Sequence, residues 1–357
     1  MDKAKLKVFL ISPDATIREA IARLNETGGT VLFVTNARGV LKGAVTEAVI
    51  RDALAGGLKF TEKVRRIALP KAPFISGKEA PARKKAHALM QKTGFAEIAV
   101  LDADDRVSGI LQWADVAAGD KLDAGIRKSL PNKVVIMAGG KGSRLEPFTR
   151  VFPKPLLPIN EKPIIELMME RFHHYGLSNF IFTLNYKKEY VKMFLKESNF
   201  SYGIDWVEEK DYMGTAGSIS LLKDKVKDTF IVSNCDTIVN TDYAEVLRWH
   251  KKSRAMLTII GCHREIDVPY GILDVKKGRL AHFTEKPRYD MLVNTGVYVM
   301  EPQIISMVPK DSQLDMNVLI KSVARSSKVS VYPIHRGWFD TGQWGDYKRS
   351  FQELCEL

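Results

Sequence analysis

A short strand pattern followed at once by a glycine-rich segment is the feature that most constrains the fold of this chain. Residues 133–138, KVVIMA, form an apolar, β-branched run typical of a buried strand, and Gly139 begins the sequence GGKGSR. Because glycine has no Cβ, its backbone N–H groups can approach an anion closely. The sequence therefore predicts an anion-binding loop at the carboxyl end of a buried strand.

The segments after this loop alternate between helix and strand patterns. Residues 162–176 have the apolar spacing of a helix that ends at a glycine, and residues 186–197 have the spacing of a second helix. Residues 179–184 and 228–234 are apolar runs of strand length. Alternating strands and helices indicate a parallel sheet in an α/β fold, with ligands bound at the carboxyl ends of the strands.

Two common phosphate-binding patterns fail at this loop. A P-loop needs GxxxxGK[ST], but Gly140-Lys141 is followed by Gly142, and a dinucleotide fingerprint needs a third glycine where Leu145 stands. The residue chemistry still favours phosphate, because Arg144 offers a charged fork and Lys154 a point charge. We therefore expect a phosphate site of a different type.

The complete string at residues 138–155, AGGKGSRLEPFTRVFPKP, resembles the signature of the sugar-1-phosphate nucleotidyltransferases. The resemblance extends over about residues 133–357. It implies a Rossmann-like, doubly wound α/β domain and an enzyme that converts an NTP and a sugar-1-phosphate into an NDP-sugar and pyrophosphate. It also implies Mg²⁺ as the cofactor and no protein nucleophile, so that Cys235 is expected to be a packing residue.

The resemblance assigns roles to residues that match the family's motifs. Arg144 and Lys154 are implied as catalytic residues, and Asp236 and Asp340 as Mg²⁺ ligands. The implied nucleotide-binding residues are Ala138, Gly139, Gly140, Gly142, Ser143, Glu209, Gly214 and Thr215. The implied sugar-phosphate-binding residues are Gly271, Glu285, Lys286 and Asn294.

The identity of the nucleotide depends on Glu209, which stands five residues before Gly214, a place that reads the base edge in related enzymes. A carboxylate accepts from two donors at once, and guanine offers two on one edge whereas uracil and thymine offer one. This favours GTP. Mannose-1-phosphate guanylyltransferases and glucose-1-phosphate uridylyl- or thymidylyltransferases remain alternatives, as does an adenylate-sensing regulator whose transferase domain is inactive.

The front of the chain contains an ungapped internal repeat. Residues 16–50 align on residues 82–116 at a constant offset of 66, with Thr27-Gly28 matching Thr93-Gly94. Each copy reads as helix, strand, turn, strand and helix. The repeat resembles a tandem cystathionine-β-synthase (CBS) pair, an α+β module. We expect the pair at 1–120, with copies at about 6–56 and 72–120, a linker at 121–132 and the nucleotidyltransferase domain at 133–357.

The CBS resemblance implies one possible adenosine site. The family often has an Asp three residues after the Thr of its GxxT motif, where the first copy has Val49 and the second has Asp115. We expect weak AMP or ATP binding through Asp115, and a homodimer or higher homo-oligomer. A CBS pair joined to this type of domain is similar to the guanylyltransferases that make GDP-glucosamine for legionaminic acid synthesis, which suggests glucosamine-1-phosphate as the sugar substrate for a surface glycan.

Charge and cysteine content limit the other possibilities. The net charge of +12 divides into +7 for residues 1–132 and +5 for the remainder, so the excess is diffuse and does not favour nucleic acid. The three cysteines are scattered and match neither a disulfide framework nor a zinc site. We see no secretory signal and no apolar run long enough for a membrane span. We expect a cytoplasmic protein without membrane partners.

Overall fold

The computed structural model describes residues 3–76, 85–86, 89–90, 93, 95, 97–112, 129–159, 161–345 and 347. The helices whose bounds it gives are α1 (Lys3–Val8), α2 (Ile17–Thr27), α3 (Glu47–Ala55), α4 (Ile164–His174), α5 (Lys188–Glu197), α6 (Tyr243–Ser253), α7 (Gln303–Met307) and α8 (Met316–Ser326). The strands up to the middle of the chain are β1 (Leu10–Ile11), β2 (Val31–Thr35), β3 (Leu41–Thr46), β4 (Phe74–Ser76), β5 (Glu97–Leu101), β6 (Val107–Gln112), β7 (Leu130–Ala138), β8 (Pro158–Ile159), β9 (Lys162–Pro163), β10 (Leu177–Leu184) and β11 (Gly203–Glu208). The later strands are β12 (Phe230–Asn234), β13 (Thr237–Val239), β14 (Leu257–Asp267), β15 (Ile272–Lys276), β16 (Arg279–Thr284), β17 (Arg288–Met300), β18 (Val329–Ile334) and β19 (Trp338–Asp340).

The chain divides into two compact units, whose bounds include some residues outside the described ranges. The first contains Met1–Gly125, His263–Met291 and Pro333–His335, and the second contains Ile126–Cys262, Leu292–Tyr332 and Arg336–Leu357. No helix among the described residues is long and apolar enough to cross a membrane.

The first unit contains two matching three-stranded sheets, one from each copy of the internal repeat. In each sheet the first strand pairs in parallel with the second, and the second pairs antiparallel with the third, in the orders β1-β2-β3 and β4-β5-β6. Both antiparallel pairs have a register shift at the equivalent position, between Val34 and Thr35 and between Val100 and Leu101. The sheets of the two copies therefore have the same strand order, and the register shift in the antiparallel pair is repeated.

The two copies also bond to each other reciprocally. The backbone N–H of Leu41 donates to the carbonyl of Asp105, and the N–H of Val107 donates to the carbonyl of Gly39. Each of these positions is related to its counterpart by the offset of 66, so the copies are arranged around a local pseudo-two-fold axis.

Local sequence signals explain the helices of the first copy. Thr16 caps α2 and exchanges hydrogen bonds with Glu19 in a capping box, and Gly28 ends the helix with a φ of 63°. Thr46, the threonine of the GxxT motif, accepts from the N–H of Val49 and so caps α3.

The second unit is built on a seven-stranded sheet in the order β11-β10-β7-β12-β17-β14-β18. Strands β11, β10, β7 and β12 are parallel, as predicted, whereas β17 is antiparallel to β12. The chain reaches β17 from β14 by way of β15 and β16, and no crossover helix, the usual connection between parallel strands, lies between them. Strand β7 begins at Leu130, three residues before the predicted start.

The apolar core of the second unit covers one face of this sheet. Its buried residues include Val135 on β7, Val232 on β12, Tyr298 on β17 and Leu319 on α8. Helix α4 buries Ile164, Ile165, Met168, Met169 and Phe172, close to the apolar face that the sequence predicts.

Candidate functional site

The central strands of the second unit create a topological switch point. After β7 the chain passes to β10 on one side of the sheet, and β12 pairs with the opposite edge of β7. The loops that follow β7 and β12 therefore diverge at the same edge of the sheet, which is where open α/β sheets bind ligands. A cavity of about 520 Å³ lies there.

Ten of the predicted site residues line this cavity together. They are Gly139, Gly140, Gly142, Ser143, Arg144, Lys154, Glu209, Gly214, Thr215 and Asp236. Ala138 is the last residue of β7 and is buried, so it supports the loop from behind and does not line the cavity.

Two glycines of the loop are required by close packing. A Cβ on Gly142, whose φ is 68°, would lie 2.9 Å from Cβ of Lys154 and 3.0 Å from Cγ2 of Thr149. A Cβ on Gly139 would lie 2.5 Å from Oε1 of Glu209. Such contacts are far shorter than ordinary van der Waals separations, so the loop can pass these side chains only as glycine.

We predict that Gly139→Ala lowers the free energy of unfolding by about 1–3 kcal/mol, the usual cost of overpacking. The Glu209 carboxylate cannot easily move away, because the residue is only 3% exposed and its Oε2 accepts from the N–H of Met213. Urea denaturation of the protein without ligands measures the change. The control is Gly140→Ala in the same loop, where a Cβ meets no atom within 4 Å, and we expect its cost to stay below about 0.5 kcal/mol. Equal effects of the two substitutions would contradict this packing argument.

Glu209 is held by the turn that follows it. Its Oε2 accepts from the N–H of Met213 at 3.1 Å, whereas the hydroxyls of Thr183 and Ser218 donate to Sδ of Met137. Burial raises the pKa of Glu209 above its ordinary value, and the bond from Met213 and the nearby hydroxyls oppose the shift. A carboxylate has about four acceptor positions, so the bond from Met213 leaves others for a ligand.

The loop that contains Gly214 is attached to the segment before α8. The N–H groups of Ala216 and Gly217 donate to the carbonyl of Leu314, and the hydroxyl of Thr215 accepts from the N–H of Met316. Thr215 and Ala216 directly precede a short 3₁₀ helix, which begins at Gly217. The cavity wall at Gly214 is therefore fixed by backbone bonds.

The two predicted metal ligands come from distant segments but are adjacent in the structure. Strand β13 pairs antiparallel with β19, and Thr237 lies opposite Asp340 in this pairing. Oδ1 of Asp340 and Oδ2 of Asp236 lie 2.9 and 3.0 Å from the same point, the position that a Cβ on Gly342 would occupy. The two oxygens are thus within about 6 Å of each other.

These two carboxylates fit a partial Mg²⁺ site. Hard oxygen ligands suit Mg²⁺, which usually takes one or two protein carboxylates and completes its coordination with phosphate and water oxygens. Among the residues that the structure describes, no group of three or more His, Cys, Asp or Glu side chains is arranged to hold a metal ion. The arrangement therefore suits a metal that is shared with a phosphate-bearing ligand.

Cations face these carboxylates. Nζ of Lys154 forms an ion pair with Oδ2 of Asp236, and both side chains are largely shielded from solvent. Arg144 lines the large cavity and also a second cavity of about 180 Å³, to which Asp236, Asn294 and Asp340 contribute. Asn294 accepts from the N–H of Gly296 and donates to the hydroxyl of Tyr298.

The remaining predicted sugar-phosphate residues belong to the first unit. Gly271 precedes β15 and Glu285 follows β16, and these strands pair so that Ile272 lies opposite Thr284. A Cβ on Gly271 would lie 3.1 Å from Oε2 of Glu285, and Lys286 and Glu285 are both exposed. None of these three residues lines either cavity. Asp115 lies outside the described residues.

Several cavity residues were missed by the sequence analysis. Thr183, Tyr212, Asn234 and Cys235 line the large cavity, and so does Lys141, a third cation of this cavity beside Arg144 and Lys154. Asn234 and Lys141 could have been identified from the sequence, because each lies next to predicted site residues. Thr183 lies in a strand and has no site motif around it. Burial raises the pKa of Cys235 to about 12, so its thiol stays protonated and is a poor nucleophile.

The protein-family model described as "Nucleotidyl transferase" matches residues 133–356 of the chain. The chain belongs to the nucleotidyl transferase family. The CBS domain description matches residues 2–56, which agrees with the first copy of the repeat. The predicted combination of a nucleotidyl transferase domain with a CBS domain before it is therefore confirmed.

Known members of the nucleotidyl transferase family differ in the nucleotide that their names state. The chain is 30% identical over 226 residues to probable mannose-1-phosphate guanylyltransferase 2 of Oryza sativa subsp. japonica, covering 60% of this chain and 62% of that protein. It is 27% identical to UTP–glucose-1-phosphate uridylyltransferase of a Synechocystis strain, covering 60% of this chain and 61% of that protein. The chain thus spans about three fifths of the length of these curated relatives.

A solved structure is similar to a large part of the chain. It is HddC from Yersinia pseudotuberculosis, in a crystal structure described as a complex with GMP-PN. The TM-score is 0.50 and the identity is 26%, and the match covers 62% of this chain and 99% of the HddC chain.

Proposed function

We propose that this protein transfers a nucleotidyl group from an NTP to a sugar-1-phosphate and releases pyrophosphate. The observation that carries the proposal is the convergence of the glycine loop, Arg144, Lys154 and Asp236 on one cavity at the switch point of the sheet. An anion-binding loop, two cations and a pair of adjacent carboxylates form the set of groups that a magnesium-bearing triphosphate and a second phosphate require. The similarity to guanylyl- and uridylyltransferases supports the same reaction.

The proposed mechanism is a direct displacement. A phosphate oxygen of the sugar-1-phosphate attacks the α-phosphorus of the NTP, a new P–O bond forms, and the bond to the β-phosphate oxygen breaks to release pyrophosphate. The protein contributes position and charge, so no side chain forms a covalent bond to substrate. The protonated thiol of Cys235 agrees with this absence of a protein nucleophile.

Each charged group has a separate role in this mechanism. Backbone N–H groups of the loop at Gly139 to Ser143 and the guanidinium of Arg144 bind the triphosphate and the leaving pyrophosphate. Lys154 binds the attacking phosphate. Asp236 and Asp340 are the residues that would hold Mg²⁺, which when bound neutralises negative charge on the nucleotide.

We further propose GTP and glucosamine-1-phosphate as the substrates, with GDP-glucosamine as the product for surface-glycan synthesis of the legionaminic acid type. Glu209 lines the cavity that holds the glycine loop, and its carboxylate suits the two donors of the guanine edge. Oε2 of Glu209 accepts from the N–H of Met213, and a carboxylate has further acceptor positions for the two guanine donors. The guanylyltransferases among the relatives support GTP.

A pyrophosphate-release assay with a panel of substrates tests this proposal. The full chain is incubated with Mg²⁺, each of GTP, UTP, dTTP, CTP and ATP, and each of glucosamine-, mannose- and glucose-1-phosphate. We expect release that requires both substrates and has its highest kcat/KM for GTP with glucosamine-1-phosphate. A different best pair would replace the substrate assignment, and absence of release with every pair would favour the adenylate-sensing regulator with an inactive transferase domain.

A further inference from the structure

The ion pair between Lys154 and Asp236 joins two groups that have different roles in the proposed reaction. Lys154 is the residue proposed for the attacking phosphate, and Asp236 is one of the two carboxylates that fit Mg²⁺. The side chains are only 12% and 20% exposed, so the pair is not an ordinary surface salt bridge. A shielded pair of this kind is weakened little by bulk solvent and salt.

The ammonium group of Lys154 lies beside the carboxylate oxygens that would hold the metal. The point that a Cβ on Gly342 would occupy lies 3.0 Å from Oδ2 of Asp236, 2.9 Å from Oδ1 of Asp340 and 3.6 Å from Nζ of Lys154. The oxygen that bonds to Lys154 is therefore the Asp236 oxygen that faces Asp340. A divalent ion that used this oxygen would come into direct repulsion with the ammonium group.

We propose that Lys154 is the counter-ion of Asp236 in the protein without ligands, and that a divalent metal displaces its ammonium group, which then binds the phosphate of the sugar-1-phosphate. This inference rests on the proposed function for the identity of the phosphate. It explains why two adjacent carboxylates are tolerated in a shielded site before the metal arrives, since one of them is neutralised by Lys154. Metal binding and sugar-phosphate binding then favour each other. The metal releases Lys154 from Asp236 to bind the phosphate, and the phosphate holds Lys154 away from the metal site.

Amine labelling of the wild-type protein tests the displacement directly. The full chain is treated with an amine-acetylating reagent, and the rate of modification at each lysine is measured by peptide mass spectrometry. We expect millimolar Mn²⁺ to raise the rate at Lys154 by roughly fivefold or more, the lower end of usual coupling between two sites, and added glucosamine-1-phosphate to reduce it again. Lys192 is the internal control, because it is 17% exposed and pairs with Glu189 and Glu208, away from both cavities. An unchanged rate at Lys154 would overturn the proposal.

The metal affinity of variants provides a second test of this exchange, in which a divalent metal replaces the ammonium group of Lys154 at Asp236. Free Mn²⁺ is measured by electron paramagnetic resonance during titration of the full chain without nucleotide or sugar. We expect Lys154→Met to bind Mn²⁺ about tenfold more tightly than the wild type, because the competing cation is gone. Lys192→Met loses the same charge and should bind as the wild type does, and Asp236→Asn should bind weakly with or without Lys154. Equal affinity of Lys154→Met and the wild type would contradict the exchange.

The results separate this inference from the proposed function. If Mn²⁺ raises labelling of Lys154 but no substrate pair releases pyrophosphate, the exchange stands and the reaction is rejected. If pyrophosphate is released but labelling and Mn²⁺ affinity do not respond, the reaction stands and the exchange is rejected.

Discussion

Replacing Arg144 with alanine is expected to lower kcat for pyrophosphate release by about 10²–10³-fold, the usual cost of removing one preorganised donor to developing charge. The side chain lines the cavity of the glycine loop and also the smaller cavity to which Asp236 and Asp340 contribute. A guanidinium there binds two phosphate oxygens at once, and no neighbouring residue reproduces that geometry. The measurement is steady-state kinetics with the best substrate pair from the panel.

Arg150→Ala is the matched control for Arg144→Ala. Arg150 is an exposed arginine of the same segment, pairs with Glu146 and lines neither cavity. We expect its kcat to stay within about twofold of the wild type, as for most surface substitutions. Turnover by Arg144→Ala close to that of Arg150→Ala would reject the assigned role.

The parts of the fold that could be predicted from sequence are those with a local or repeated signal. The offset of 66 between the two copies of the repeat anticipated matching strand registers, because equal apolar patterns bury equal faces. The apolar run before Gly139 and the glycines after it located the central strand and its loop. In these cases the residues that decide the structure are neighbours in the chain.

The parts that could not be predicted depend on contacts between distant segments. Asp236 and Asp340 are about a hundred residues apart, and only the pairing of β13 with β19 brings them together. The ion pair of Lys154 with Asp236 likewise has no counterpart in local periodicity. The resemblance to a family supplied the residues of the site, but the sequence could not show which of them contact each other.

The same limit applies to the antiparallel β17. Its apolar residues are compatible with either strand direction, and no helix lies between β14 and β17 to return the chain in the parallel direction. A hairpin returns the chain antiparallel, whereas a helix crossover returns it parallel. Sequence periodicity reports which face of a strand is buried, not the direction in which the strand runs.

Glu209→Gln is expected to reduce the preference for GTP over UTP, measured as the ratio of kcat/KM values, by roughly 10–150-fold, which corresponds to one hydrogen-bonded charged acceptor. Glutamine keeps the shape of the side chain and one carbonyl oxygen, so the bond from the N–H of Met213 can persist. What is lost is the second acceptor, which guanine needs and uracil does not. ITP, whose base lacks the 2-amino group of guanine, should be used by the variant nearly as well as GTP.

The control for Glu209→Gln is Glu208→Gln, the preceding residue of the same segment. Glu208 pairs with Lys188 and Lys192, and these bonds lower its pKa to about 2. It lines neither cavity, so its substitution should leave the ratio of GTP to UTP unchanged. If Glu209→Gln lowers stability or overall rate but preserves that ratio, Glu209 only supports the turn at Met213, and the base must be read by another group.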